Sequence, residues 1–334
     1  MARFGVVLGA GGGTGRAFHA GVLAALDDVL GIDARDARVI VGTSAGAVDA
    51  ALLRAGISPR DLFLHTTKRD CSAAGAALFA LMPEWSEPDE QGPPIGWRPA
   101  SPSRLRALAR RPWDARPRSF GTVLAAMMRR GRRPTEVLER SVSALHPREW
   151  PDSELWLCTV HLNEGRRVVF GRDADAPPAS VARAVAASCA VASYFEPVEI
   201  GGEAYVDGGM YSPSNADLLA DEDLDFVVIS SAQSVAPPAR HRSPDTWLRA
   251  SCRMLLRHEV ARVQRSGCPV LLLEPSAADV DVMGTIADSM NVTRMPEVAR
   301  RAYDSTVQRI TTGPLAPIAE RSAFQRGDLT RSAS

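Results

Sequence analysis

The chain has 334 residues, 45% of them hydrophobic and 23% charged, with 39 basic side chains set against 39 acidic ones. A net charge of zero excludes a dedicated nucleic-acid binder, whose phosphate contacts demand a basic excess. The apolar content excludes a wholly disordered chain, and the length fits one large domain or two ordinary ones.

Lys68 is the only lysine, and nothing around it supports a phosphate-loop or Schiff-base role. The five cysteines are odd in number and contain no C-x-x-C pair. That argues against a zinc site or a disulfide framework and for a reducing compartment. The longest uncharged apolar stretches, 72–82 and 184–195, fall short of the roughly 18 residues of a membrane span. Residues 1–10 imitate a signal peptide, with Arg3 ahead of Val6-Val7-Leu8. A glycine cluster and Arg16 follow where a longer apolar core and a cleavage site should lie. The expectation is an unprocessed cytoplasmic protein.

Residues 3–8 form a β-branched apolar run ending in glycine, which reads as a buried strand. Phe18, Val22, Leu23, Leu26 and Leu30 then recur at helical spacing up to Gly31, a natural helix stop. Residues 39–41 read as a second buried strand, and 45–54 as a helix ended by Gly56. Strand, helix, strand, helix at this spacing is the pattern of a parallel, doubly wound sheet. Residues 84–118 are rich in Pro, Trp and Arg, the composition of a long functional loop or lid. Residues 73–82 read as a helix more often core than pocket, and 135–145 as another helix. Strands at 155–162 and 167–170 flank an Asn163-Glu164-Gly165 turn, which predicts a hairpin. A small-residue helix at 180–191 precedes a second hairpin, 198–200 and 204–206, around Gly201-Gly202. Strands at 226–230 and 270–273 enclose a helix over 244–264. A last helix covers 295–310, and 322–334 reads as a loose, disordered tail.

Three motifs carry chemistry. Gly42-Thr43-Ser44-Ala45-Gly46 is a G-x-S-x-G set directly after a strand and directly before a helix. Such a turn forces its serine into a strained conformation with the hydroxyl projecting, and side chains at Gly42 and Gly46 would collide with the flanking elements. An ordinary turn with Ser44 as helix cap is the competing account. Gly9-Ala10-Gly11-Gly12-Gly13-Thr14-Gly15-Arg16 lies between the first strand and helix. Its glycines do not fit the dinucleotide-binding spacing, and the second strand ends without the acidic residue that fold needs. It also lacks the Gly-Lys of a phosphate loop. An oxyanion hole of backbone donors remains open, as does a glycine-rich turn with no ligand. Asp207-Gly208-Gly209 closes the second hairpin, where two glycines free an aspartate to point into a cleft; by itself it is an ordinary turn.

A serine hydroxyl needs a neighbour to accept its proton. An α/β-hydrolase places its histidine late, after an aspartate, which makes His258 the only reasonable candidate of the six, and it lies inside a helix flanked by Arg257 and Glu259. In that fold the elbow also follows several strands, whereas here it follows the second.

In this order and context the three motifs resemble the patatin-like phospholipases, serine lipid acyl hydrolases with a Ser-Asp dyad. Residues 11–23 are similar to the family's glycine-rich block and first helix, Gly42–Gly46 to its elbow, and Asp207-Gly208-Gly209 to its D-G-[AG] element. Ala187-Ser188-Cys189-Ala190 and Phe195-Glu196-Pro197-Val198 are similar to the segment leading into that aspartate. Two departures stand out: Gly15-Arg16 reverses the family's basic-residue-then-glycine order, and no proline lies near Ala192.

The resemblance implies a three-layer fold with a mostly parallel central sheet and helices on both faces. It would fill residues 1–321 as one domain, with 61–152 as a variable lid or cap-like insertion. It implies Ser44 as nucleophile, Asp207 as general base, and the backbone N–H groups of Gly11, Gly12 and Gly13 as oxyanion donors. Gly42, Gly46, Gly208 and Gly209 would support the elbow and dyad. The implied activity is phospholipase A or lysophospholipase cleavage of a lipid acyl ester, with no metal or organic cofactor and with peripheral membrane contact. The competing readings are a catalytically silent lipid-binding or regulatory protein of the same fold, and an α/β-hydrolase using His258. Trp85, Trp97, Trp113 and the arginines of 104–118 and 129–133 are candidates for acyl-chain or headgroup contact.

Overall fold

Short apolar runs become strands here because both faces of the sheet are covered, as a parallel sheet requires. A computed structural model describes residues 2–83, 133–147, 150–192, 194–237 and 244–312. The Pro/Trp/Arg-rich stretch 84–118, with its three tryptophans, and the tail 322–334 lie outside these described residues.

β1 (Phe4–Leu8) and β2 (Val39–Thr43) are buried along their whole length. With β3 (Glu154–His161), β4 (Arg167–Phe170), β5 (Val198–Ile200), β6 (Glu203–Asp207), β7 (Phe226–Ser230) and β8 (Val270–Leu273) they form one sheet. Its order is β5-β6-β3-β2-β1-β7-β8, with β4 also paired to β3. The β3-β2-β1-β7-β8 stretch is parallel throughout. β4, β5 and β6 add antiparallel pairs at one end.

Alternation along the strands sorts side chains into two cores. Val6, Leu8, Ile40, Leu155, Leu157, Val228 and Leu273 face one way. There they meet α1 (Gly12–Leu30), α2 (Ala45–Arg54), α3 (Pro59–Thr66), α5 (Glu136–Leu145), α6 (Val181–Ser188) and α9 (Met295–Thr311). Val7, Val39, Val41, Trp156, Cys158, Val227 and Ile229 face the other way, onto a 3₁₀ turn at Ala216–Leu219 and α7 (Pro244–Arg265). This is the expected three-layer α/β arrangement. No described helix is long and apolar enough to cross a membrane.

One detail of pairing positions the site. β2 pairs with residues 154–158 of β3, and β6 with residues 159–161. These stretches do not overlap, whereas β4 lies across residues 157–160 and so takes the opposite edge. β2 and β6 therefore meet end to end along one edge of β3.

The structure corrects several expectations. The helix read at 73–82 as core is α4 (Ala73–Leu81), and Gly75 is its only buried residue; Leu78 and Phe79 merely lean on the core. The helix read at 180–191 stops at Ser188, because the next residues are drawn into contacts with Ser44 and Asp207. Two helices were not anticipated. α3 starts at a Ser58 cap with Pro59 in its first turn. α8 (Ala277–Met283) starts at a Ser276/Asp279 capping box.

Candidate active site

Ser44 follows the last residue of β2 with φ 54° and ψ −117°, in the half-plane that only three described non-glycine residues enter. Holding a serine there costs about 1–3 kcal/mol and is found where surroundings over-determine the backbone. Here they do. The Ser44 N–H donates to Ser188 Oγ at 2.9 Å, and that hydroxyl donates to the Cys158 carbonyl of β3 at 2.7 Å. Cys189 Sγ donates to the Ser44 carbonyl at 3.2 Å. The elbow also presses on β1: a Cβ on Gly46 would stand 2.0 Å from the Leu8 carbonyl oxygen. Gly46→Ala is thus expected to destabilise the fold by about 3 kcal/mol or more, seen as a large drop in Tm; an unchanged Tm would contradict this packing.

Asp207 ends β6. Its N–H donates to the Ala190 carbonyl at 3.1 Å, and its Oδ1 accepts from the Gly209 N–H at 2.7 Å. The turn can leave β3 only through a residue without a side chain, since a Cβ on Gly208 would lie 2.2 Å from the Cys158 carbonyl oxygen. Asp207 is 4% exposed and Ser44 5%. Burial pushes the Asp207 carboxyl up to about 6, against the opposing pull of the Ser44 side chain and the Gly209 N–H. Its Oδ2 has no hydrogen bond of full geometry. The Ser44 side chain is within hydrogen-bonding reach of this buried carboxyl, which keeps an oxygen with an open lone pair.

The glycine loop lies beside both. The Gly9 N–H donates to Ser230 and the Ala10 N–H to Pro213, at 3.0 and 2.8 Å. Gly11 then begins α1 without a side-chain cap. Among the described residues, the N–H groups of Gly11, Gly12 and Gly13 have no hydrogen-bond partner. They stand at the positive end of a helix dipole, a ready-made anion site. The Gly46 N–H donates to the Gly9 carbonyl at 3.2 Å, which ties this loop to the elbow. On the other side, a Cβ on Gly209 would lie 3.2 Å from Ala10 Cβ.

The described histidines are engaged elsewhere. His19 is fully buried between the Gly9 carbonyl, 2.8 Å from Nε2, and the Ser230 hydroxyl, 2.7 Å from Nδ1. Burial holds its pKa down, so the neutral ring donates from Nε2 and accepts at Nδ1. It braces the loop. His258 is exposed, and its Nδ1 lies 2.7 Å from the Met254 carbonyl of its own helix. No contact joins His258 to Ser44 among the described residues, so the structure gives the triad reading no base. Arg16 donates from Nε to Asp49 Oδ1 at 2.9 Å, so the reversed Gly15-Arg16 order sends this arginine to α2.

Sequence reading missed a clamp behind the elbow. Asn215, buried at φ 55°, donates from Nδ2 to Thr43 Oγ1 at 3.1 Å. Arg167 donates to Asn215 Oδ1 at 3.1 Å and makes a two-pronged pair with Asp217 at 2.7 and 2.9 Å. Glu259 of α7 accepts from the Ser214 hydroxyl at 2.6 Å and the Ala216 N–H at 3.0 Å. Burial, then Asp217, push the Glu259 carboxyl up to about 7, with Ser212, Ser214 and the Ala216 N–H opposing. This loop holds the glycine loop through Ala10 and β2 through Thr43. Its only local signal was a turn-forming Ser-Pro-Ser-Asn run. No group of three or more His, Cys, Asp or Glu among the described residues is placed to hold a metal ion.

Among solved structures, the chain is similar to VipD from Legionella pneumophila at 14% identity and a TM-score of 0.45, over 93% of this chain and 67% of that one. No curated protein sequence matches. The family model for patatin-like phospholipase matches residues 6–220, a span that holds the glycine loop, the elbow and the aspartate turn. The chain belongs to the patatin-like phospholipase family, whose members are typically lipid acyl hydrolases.

Proposed function

We propose that the protein hydrolyses the acyl ester of a phospholipid or lysophospholipid through an acyl-enzyme on Ser44. The observation that carries this reading is the buried Asp207 carboxyl, with one oxygen unpartnered, beside a serine held at positive φ.

As Ser44 Oγ attacks the ester carbonyl, its proton passes to Asp207 Oδ2. The carbonyl electron pair moves onto oxygen, where the N–H groups of Gly11, Gly12 and Gly13 and the α1 dipole receive it. Collapse expels the lipid alcohol, which takes the proton from Asp207. Water then gives a proton to the same carboxylate as it attacks the acyl-enzyme, and collapse releases the fatty acid while Asp207 returns that proton to Ser44 Oγ. An ordinary aspartate is a poor base for a hydroxyl; a carboxyl near 6 is a better one and is still ionised at neutral pH. The same reading takes residues 1–321 as one cytoplasmic catalytic domain, and within the expected 61–152 insertion α3 and α5 belong to the core, through Leu62, Phe63, Leu138, Val142 and Leu145.

The test compares the native protein with Ser44→Ala on a mixed lipid extract, with released fatty acids measured by mass spectrometry. Release by the native protein alone, with fluorophosphonate labelling confined to Ser44, is the expected result. Equal release by both, or folded native protein that takes no label, would overturn the reading and leave a lipid-binding protein of the same fold.

A further inference from the structure

α7 packs only one side onto the sheet, through Leu256 and Val263, both fully buried. Its other side is bare. Trp247 is 71% exposed, Leu248 45%, Met254 63% and Leu255 47%, and among the described residues the only other exposed large hydrophobic is Leu81. Spacings of one, seven and eight residues put all four on one helical face. Single exposed apolar residues are unremarkable, but a contiguous run with a tryptophan marks an interaction surface.

Charge continues where the apolar run stops. The next turns of the same helix expose Arg257, His258, Arg262 and Arg265. Asp221 approaches Arg262 at 3.4 Å, while Arg257 and Arg265 have no acidic partner among the described residues. A groove of about 250 Å³ runs beside the patch, lined by Val235, Pro237, Ala250, Met254, Arg257 and Arg253, the last paired with Glu274 at 3.2 Å. In a chain of zero net charge, this concentrates positive charge next to exposed hydrocarbon.

The apolar end adjoins the candidate site. Arg249 donates from Nη1 to the Ala232 carbonyl at 3.1 Å, and a Cβ on Gly11 would lie 3.0 Å from Ala232 Cβ. Trp247 and Leu248 thus stand on the turn that fixes Ala232 beside the glycine loop.

We infer that the exposed face of α7 docks the protein onto an anionic lipid surface, with Trp247, Leu248, Met254 and Leu255 entering the interface and the arginines meeting headgroup phosphates. The choice of a lipid partner rests on the lipid-hydrolase reading, since that site must reach substrates held in an interface. A helix with Trp and Leu on its exposed face and arginines alongside is built for that boundary. Tryptophan in particular gains from a place half apolar and half wet.

The test uses Ser44→Ala protein, so that vesicles stay intact, and sedimentation with phosphatidylcholine vesicles with and without phosphatidylglycerol. Binding is expected to the anionic vesicles, to weaken at least about tenfold in Trp247→Ser/Met254→Ser, and to lose its salt dependence in Arg257→Gln/Arg265→Gln. The same substitutions with Ser44 intact should leave hydrolysis of a soluble short-chain ester unchanged. Vesicle binding untouched by both double variants would overturn the inference. So would a dimer or a protein complex that the substitutions dissociate, because the patch would then be a protein interface. Failure of the hydrolase reading would show separately, as absent soluble-ester activity beside intact vesicle binding.

Discussion

Asp207→Asn is expected to remove ester hydrolysis and, in the same protein, to raise Tm at neutral pH. Folding lifts this carboxyl from its usual 3.8 to about 6, mainly by taking it out of water. Between those values the folded state keeps a proton that the unfolded chain has lost, so stability falls as pH rises through the window. At neutral pH the accumulated cost is about 3 kcal/mol. Asparagine has the same shape and no charge to bury, so the variant should gain most above pH 6 and nothing below pH 4. Turnover should drop about 10²–10⁴-fold with the base gone. Melts of both proteins at pH 4 and pH 8, beside steady-state rates, check the two halves together. Equal Tm differences at both pH values would show that Asp207 is not a strained buried acid. The native rate should rise through pH 6 with a midpoint that barely moves with temperature, because carboxyl groups ionise with little heat. An imidazole base would shift that midpoint markedly.

Gly13→Pro should cost about 10²–10³-fold in kcat, since it deletes one oxyanion donor at a first-turn position where proline is tolerated. Gly13→Ala is the matched control. It keeps the N–H, and its Cβ would find ordinary space, 3.4 Å from Met295 Sδ and 3.5 Å from the Ser289 carbonyl oxygen. The alanine variant should therefore turn over at near the native rate, and both should melt close to it. Near-normal turnover in a folded Gly13→Pro protein would remove that N–H from the oxyanion contact.

Much of this was legible in the sequence because the reacting motifs are local. A β-branched run, two glycines and a serine specify a strand, a close approach and an elbow within a few positions, and β7 and β8 fall at the residues the apolar runs mark. What escaped reading is long-range. Nothing near Asn215 announces that its amide reaches Thr43, and nothing near His19 announces Ser230. Arg16 was legible as a departure from the family order, but its Asp49 partner was not. The exposure of α4 was missed because an apolar composition states what a face prefers, not whether another element arrives to cover it. The second hairpin was legible as a hairpin. That β6 would abut β2 was not, since strand placement depends on the other edge of β3.

That shared edge bears on how such a protein can diversify. Ser44 and Asp207 are far apart along the chain, yet a single strand gauges their separation, so the distance between them is independent of how much polypeptide intervenes. The excursion that departs after α4 and rejoins at α5 begins and ends on helices that touch each other. The register between Ser44 and Asp207 is thereby set by β3 alone, whatever the length of the chain that separates α4 from α5.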